Sequence, residues 1–120
     1  AELNHLDESE RYFMDRFKKK ILENMGNADM KMDDLGAEMQ LSKVQLYRKV
    51  KAMTGKTPVE LLKEMRLQRA YTLLMQTDKT VAEVSAEVGF ALPGYFSSCF
   101  RKQFGVLPTD FRNKQLSKRK

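Results

Sequence analysis

Arg48 stands four residues after Val44, three after Gln45 and three before Lys51, so a helix through this stretch carries all four on one broad side. Those side chains suit the edges of nucleic acid bases. An arginine fork matches guanine O6 and N7, a glutamine amide matches adenine, and a valine packs on a thymine methyl. Tyr47 borders the same surface, and Lys43, Lys49 and Lys51 are long enough to reach phosphates beside it. On the other side Leu46, Val50 and Met53 recur at helical spacing and are expected to be buried.

A second set follows about fifty residues later. LGAEMQLSKVQLYRKVKAMTGKTP from Leu35 and VSAEVGFALPGYFSSCFRKQFGVLP from Val84 are two versions of one pattern. Leu35, Ala37, Glu38 and Met39 match Val84, Ala86, Glu87 and Val88 at an offset of 49. Leu46, Val50, Gly55 and Pro58 match Phe96, Phe100, Gly105 and Pro108 at 50, so one residue is inserted at the turn. Such a doubled helix–turn–helix pattern suits a chain that grips two successive grooves of duplex DNA. In the second copy Phe96 and Phe100 face inward, with Cys99 and Phe104 nearby. Gly94, Ser98 and Arg101 then face outward, flanked by Tyr95 and Ser97. This face is poor in base-reading groups. The spacing therefore predicts an asymmetric reader, the first unit specifying sequence and the second, through Arg101 and Lys102, mostly clamping backbone.

The elements that must hold these faces are all helical, because no segment alternates with period two for long. Phe13, Phe17 and Ile21 predict a first helix over about 9–24, ended by Gly26 and Asn27. A short helix over 33–39 carries Asp33 and Asp34 at its positive end. Ser42 with Gln45 has the capping-box spacing and opens a third helix to about Thr54, closed by Gly55. Thr57 with Glu60 repeats the box, and Pro58 starts a fourth helix to about Gln76. Its apolar positions, Leu61, Leu62, Met65, Leu67, Ala70, Leu73 and Leu74, exceed one stripe, so it should be covered from more than one side and connect the two repeats. Thr80 with Glu83 caps a fifth helix, Gly89 turns the chain, a sixth spans about 93–104, and Pro108 starts a seventh ending near Lys114. Two helix starts are candidate phosphate sites: Lys56 and Thr57 before the fourth helix, and Thr109 in the seventh.

The resulting expectation is an all-α chain with an N-terminal extension and first helix over 1–31 and a first helix–turn–helix unit over 32–57. A linker helix over 58–78, a second unit with the last helix over 79–114, and a frayed basic tail over 115–120 follow. Charge is uneven: residues 1–40 hold ten acids and six bases, residues 41–120 six acids and sixteen bases. That bias points to a polyanionic partner. The alternative is a helical protein-interaction module whose basic surface docks an acidic partner.

The composition argues against other classes. His5 is the sole histidine and Cys99 the sole cysteine, which leaves no metal set, no internal disulfide and no catalytic cluster, and no Gly-rich phosphate loop is present. No enzyme activity, cofactor or metal is expected, and Cys99 suits a core thiol. The eight methionines suit core filler. No apolar run nears the ~18 residues of a membrane span, so no membrane contact is expected, and a reducing cytoplasm is the expected compartment.

GFALPGYFSSCFRKQFGVLPTDFR is similar to the second helix–turn–helix signature of the AraC/XylS family of bacterial transcription regulators. LSKVQLYRKVKAMTGKTPVELLKEMRLQRAYTLL resembles that family's first recognition helix and linker helix, and the likeness covers roughly Met32 to Arg112. The resemblance implies seven helices, two lobes on one long helix, and recognition helices in adjacent major-groove segments. It places base contacts at Val44, Tyr47 and Arg48, and at Pro93, Gly94, Ser97 and Ser98. Three positions depart from the family pattern. Ser98 stands where arginine is common, Leu107 where a small hydroxyl cap precedes the proline, and Gly36 where alanine is usual, implying a modest loss of helix stability. The run DESERYFMDRFKKKILENMGNADMKMDDLGAEM looks most like output domains of hybrid two-component sensors. With the opening Ala1, this implies a piece of a longer activator, preceded by a receiver or ligand-sensing domain and working with RNA polymerase.

Overall fold

A computed structural model describes residues 6–30 and 32–118, the side chains of Met32 and Asp33 excepted. The expectations for His5 and for the Asp33 carboxylate lie outside the described residues. Seven helices run in order: α1 (Glu8–Asn24), α2 (Met32–Glu38), α3 (Lys43–Thr54), α4 (Pro58–Gln76), α5 (Val81–Glu87), α6 (Pro93–Phe104) and α7 (Pro108–Lys118). The all-helical class is as the sequence implies. One end differs: α7 continues through Gln115, Leu116 and Ser117 to Lys118 instead of fraying after Lys114. No glycine or proline follows Pro108 to stop it.

Reciprocal side-chain caps fix where most helices begin. At α1 the Asp7 carboxylate accepts the Glu10 N–H at 2.8 Å, and Glu10 accepts the Asp7 N–H at 3.2 Å. Ser42 with Gln45, Thr57 with Glu60 and Thr80 with Glu83 close the same box at α3, α4 and α5. Each satisfies two backbone donors that a helix start otherwise leaves unpaired. Gly55 and Gly105, both left-handed, close α3 and α6, their N–H groups donating to Lys51 O and Arg101 O.

The chain forms two compact units, with the division inside α4 between Lys63 and Glu64. The first unit comprises α1, residues 29–57 and the opening of α4. There α1 packs on α2, and α2 on α3. Phe13, Met14, Phe17 and Ile21 bury one stripe of α1, Leu35 and Met39 anchor α2, and Leu46, Val50 and Met53 bury the back of α3. Leu61 and Leu62 bury the opening of α4.

The second unit comprises residues 25–28, the rest of α4, and α5 to α7. Its core is aromatic. Phe96, Phe100 and Phe111 join Leu67, Ala70, Leu73 and Leu74 of α4, Val84 of α5, Val88 just after it, and Cys99. Tyr71 leans on Phe104 and Phe111 at ring distances of 4.9 and 4.7 Å. Each fully buried phenylalanine contributes about 2 to 3 kcal/mol from burial alone. The wide apolar surface of α4 thus serves two cores at different points along its length.

Two arginines stitch the second unit together. Arg66 donates from Nη2 to Asn27 O at 2.9 Å, and its burial pulls the guanidinium below the ordinary arginine value while leaving it charged. Arg112 donates to the carbonyls of Thr77 and Lys79, capping the C-terminal end of α4 with positive charge.

Candidate nucleic-acid interface

The turn joining α2 to α3 and the turn joining α5 to α6 share one hydrogen-bond pattern. Leu41 N–H donates to Gly36 O and Gln40 N–H to Ala37 O; in the second unit Phe90 donates to Ser85 O and Gly89 to Ala86 O. Both are Schellman motifs, which need a left-handed residue just past the helix. Gly89 supplies it at φ +93°, whereas Gln40 does so at φ +60° despite its side chain. The second turn has no room for a side chain at this point. A Cβ on Gly89 would lie 2.3 Å from Met25 O and 2.9 Å from the Arg66 guanidinium.

Gly36 corrects the expectation drawn from the family pattern. A Cβ there would lie 2.8 Å from Leu41 O, so glycine is required by close approach of the backbone rather than tolerated at a cost in helicity. Its counterpart, Ser85, does carry a side chain, buried to 1 % exposure with no partner for its hydroxyl.

These turns aim α3 and α6. On α3, Val44 is 56 % exposed, Tyr47 48 %, and Arg48 and Lys51 are exposed, while Leu46 and Val50 are fully buried and Met53 nearly so. Arg48 makes no hydrogen bond or ion pair among the described residues, leaving its fork available. Lys43 is exposed in the first turn. Lys51 is close enough to Glu60 to lower its carboxyl further.

Two side chains expected on this face have other work. Gln45 Oε1 accepts the Ser42 N–H at 2.9 Å, so the amide caps α3 and only its Nε2 remains for a base. Lys49 reaches away from the exposed stripe, its Nζ 4.6 Å from the Phe13 ring centroid, a cation–π contact that pins α3 to α1.

On α6, Pro93, Gly94, Ser98, Arg101 and Lys102 are exposed and Ser97 is half-buried. Tyr95 is 55 % exposed, with its ring 5.9 Å from Phe90. Phe96, Phe100 and Cys99 are buried, as their spacing implies. Arg101 and Lys102 lie in the last turn, where they also suit the negative end of the helix dipole.

The helix-start sites divide in the same way. Thr57 and Lys56 are half-buried, and the α4 box engages the N–H groups of both Thr57 and Glu60 while placing the Glu60 carboxylate there. Those bonds, led by the one from the Thr57 backbone, hold Glu60 below the ordinary 4.5. The start of α4 is therefore a poorer anion site than its sequence implies. Thr109 is exposed at the start of α7, where Leu107 has no polar side chain to cap the helix, although Asp110 shares that turn.

The helix–turn–helix domain family matches residues 35–114, a stretch that contains both repeats. The chain belongs to the AraC/XylS family of helix–turn–helix regulators. Among similar proteins, Histidine kinase P4 of Formosa agariphila is 36 % identical over 96 residues, spanning 80 % of this chain and 7 % of the kinase. The transcriptional activator RhaS of Mannheimia succiniciproducens is 31 % identical over 91 residues, 76 % of this chain and 34 % of the activator. The chain therefore spans between 7 and 34 % of the length of these curated relatives. The DNA-binding domain of the transcriptional factor AdpA, solved with a target DNA, superposes with a TM-score of 0.80 at 26 % identity, covering 88 % of this chain and 95 % of that domain. This AraC-type family is one of DNA-binding transcription regulators, which is not an enzyme class. Among the described residues no helix is long and apolar enough to cross a membrane.

Sequence reasoning missed three features here. The Asp7–Glu10 box was legible as an acid spaced three residues before a glutamate. The double demand on Gln45 was also legible, since the residue in a capping box cannot freely serve a base as well. The third is Leu92, the residue preceding α6, which is 67 % exposed and makes no side-chain cap. A leucine where the first repeat has Ser42 was the available signal.

Proposed function

We propose that this chain is the DNA-reading output domain of a bacterial transcription activator, with α3 as the principal reader and α6 as the second contact. The observation that carries the reading is the exposed set Val44, Tyr47, Arg48 and Lys51 on a helix whose back is buried. Arg48 forks onto a guanine, Val44 packs on a thymine methyl, and Tyr47 borders both. Gln45 holds the start of α3 and contributes one amide donor. Lys43, Lys51, Arg101, Lys102 and Thr109 take phosphates, with Lys56 and Thr57 contributing less because of the α4 box. Gly94, Ser97 and Ser98 let α6 approach the groove closely while reading little.

The family membership and the DNA-bound AdpA neighbour support duplex DNA as the partner. The likeness to a short stretch of a histidine kinase supports a place in a two-component system, in which an upstream receiver or ligand-sensing domain controls the domain and RNA polymerase is its further partner.

Selection of bound sites from random duplexes at two salt concentrations tests this. A bipartite site is expected. Arg48→Ala should lose about 10- to 100-fold discrimination at one position, equivalent to roughly 1–3 kcal/mol. Lys102→Ala should weaken all sites alike and reduce the salt slope by about one. Equal affinity for every duplex would sink the reading and favour the basic protein-interaction module.

A further inference from the structure

The first turn of α6 has Pro93 at a favourable helix start but lacks a side-chain cap. Leu92 occupies the N-cap position, where a serine, threonine or aspartate would bond a free N–H, and makes no such bond. Its side chain is 67 % exposed. Gly94, two residues on, is a poor helix former, yet a Cβ there would meet nothing within 4 Å. Tyr95 follows at 55 % exposure, steadied by Phe90. Leucine and tyrosine thus flank a flat glycine, an exposed apolar step on the helix that also carries Arg101 and Lys102.

We infer that Leu92, with Tyr95, reads thymine methyl groups in the part of the site that α6 contacts, so that the second unit has sequence preference without a base-reading arginine. This rests on the proposed DNA binding. Three observations favour a groove edge as the occupant. The step is continuous with the proposed reading face, Arg101 and Lys102 at the far end of the same helix attract phosphate, and the absent Cβ of Gly94 permits close approach. Thymine is the base that presents a methyl there, and apolar side chains recognise it by contact rather than by hydrogen bonds. Position 98, with its short serine, leaves the first turn as the part of α6 able to discriminate.

The test uses the selected site, with Arg48→Ala identifying the portion read by α3. Each thymine in the remaining portion is replaced by deoxyuridine, which removes only the methyl. For the unaltered chain, one or two replacements should weaken binding about 3- to 10-fold. For Leu92→Ala the same replacements should have no effect, and its affinity for the thymine site should already be down by a similar factor. Leu92→Ser separates reading from structure: by capping α6 it should raise Tm by a few degrees while still losing the methyl response. A methyl effect of equal size in the unaltered chain and in Leu92→Ala overturns the inference, as does a selected site with no thymine preference in that portion. Neither result disturbs the reading by α3, which fails if no specific site is selected or if Arg48→Ala leaves discrimination unchanged.

Discussion

The two helix–turn–helix units share a backbone and allot their residues differently. In the first, α3 starts with a reciprocal cap, packs through aliphatic side chains, and presents valine, tyrosine, arginine and lysine to solvent. In the second, α6 starts without a side-chain cap, packs through a run of phenylalanines, and presents glycine, tyrosine and serine, with Arg101 and Lys102 in its last turn and a bare leucine just before it. The second unit is held by its aromatic interior, and the first turns of α6 expose no charged side chain. In the first, local caps fix the helix more firmly and its outer face is free to carry chemistry. A repeated fold does not imply a repeated role.

The turns offer the sharpest way to break this comparison. Gly89→Ala combines a left-handed backbone with a Cβ driven onto Met25 O and Arg66, and should destabilise the protein by about 3 kcal/mol or more. At the equivalent place in the first unit, Gln40→Gly should stabilise by about 0.5–1 kcal/mol, because only the backbone strain is at stake. Chemical denaturation of both variants measures the contrast; losses of equal size would show that the two turns are built alike.

A second pair probes the equivalent positions Gly36 and Ser85. Gly36→Ala should lower stability by about 1 kcal/mol, since a gain in helix propensity is outweighed by the contact with Leu41 O. Ser85→Ala should raise it by about 1 kcal/mol, since it removes a buried hydroxyl that has no partner. Thermal melts that moved in the same direction for both would remove the distinction between the turns.

The smallest effect is acidic. Glu60 and Glu83 are held below 4.5 in the folded state by bonds from Thr57 and Thr80. Their contribution is complete above about pH 4.5 and is lost as the pH falls through the lower folded values. Glu60→Gln with Glu83→Gln should flatten the decline in Tm below that pH. Since neither box caps α3 or α6, the variant should keep its choice of DNA site.

Much of this was written in local patterns. Capping boxes, Pro58, Pro108 and the closing glycines placed the ends of α3, α4 and α6, because a cap depends on residues three or four apart. The individual helices and the buried backs of α3 and α6 followed from spacing for the same reason, while the arrangement into two lobes on a long helix came from the family resemblance. The end of α7 was less legible, since no stop residue marked it.

What sequence alone determined is the periodic part: which residues share a helix face, and that Val44, Arg48 and Lys51 lie opposite Leu46, Val50 and Met53. Those relations are set by 3.6 residues per turn and survive any arrangement of neighbours. Only the tertiary structure decided that Lys49 lies on Phe13, that Gly36 and Gly89 are required by carbonyls brought close to them, and that Ser85 hides a hydroxyl. Those depend on close approach between atoms of separate segments, where a shift of half an ångström changes the outcome and no spacing in the chain records it.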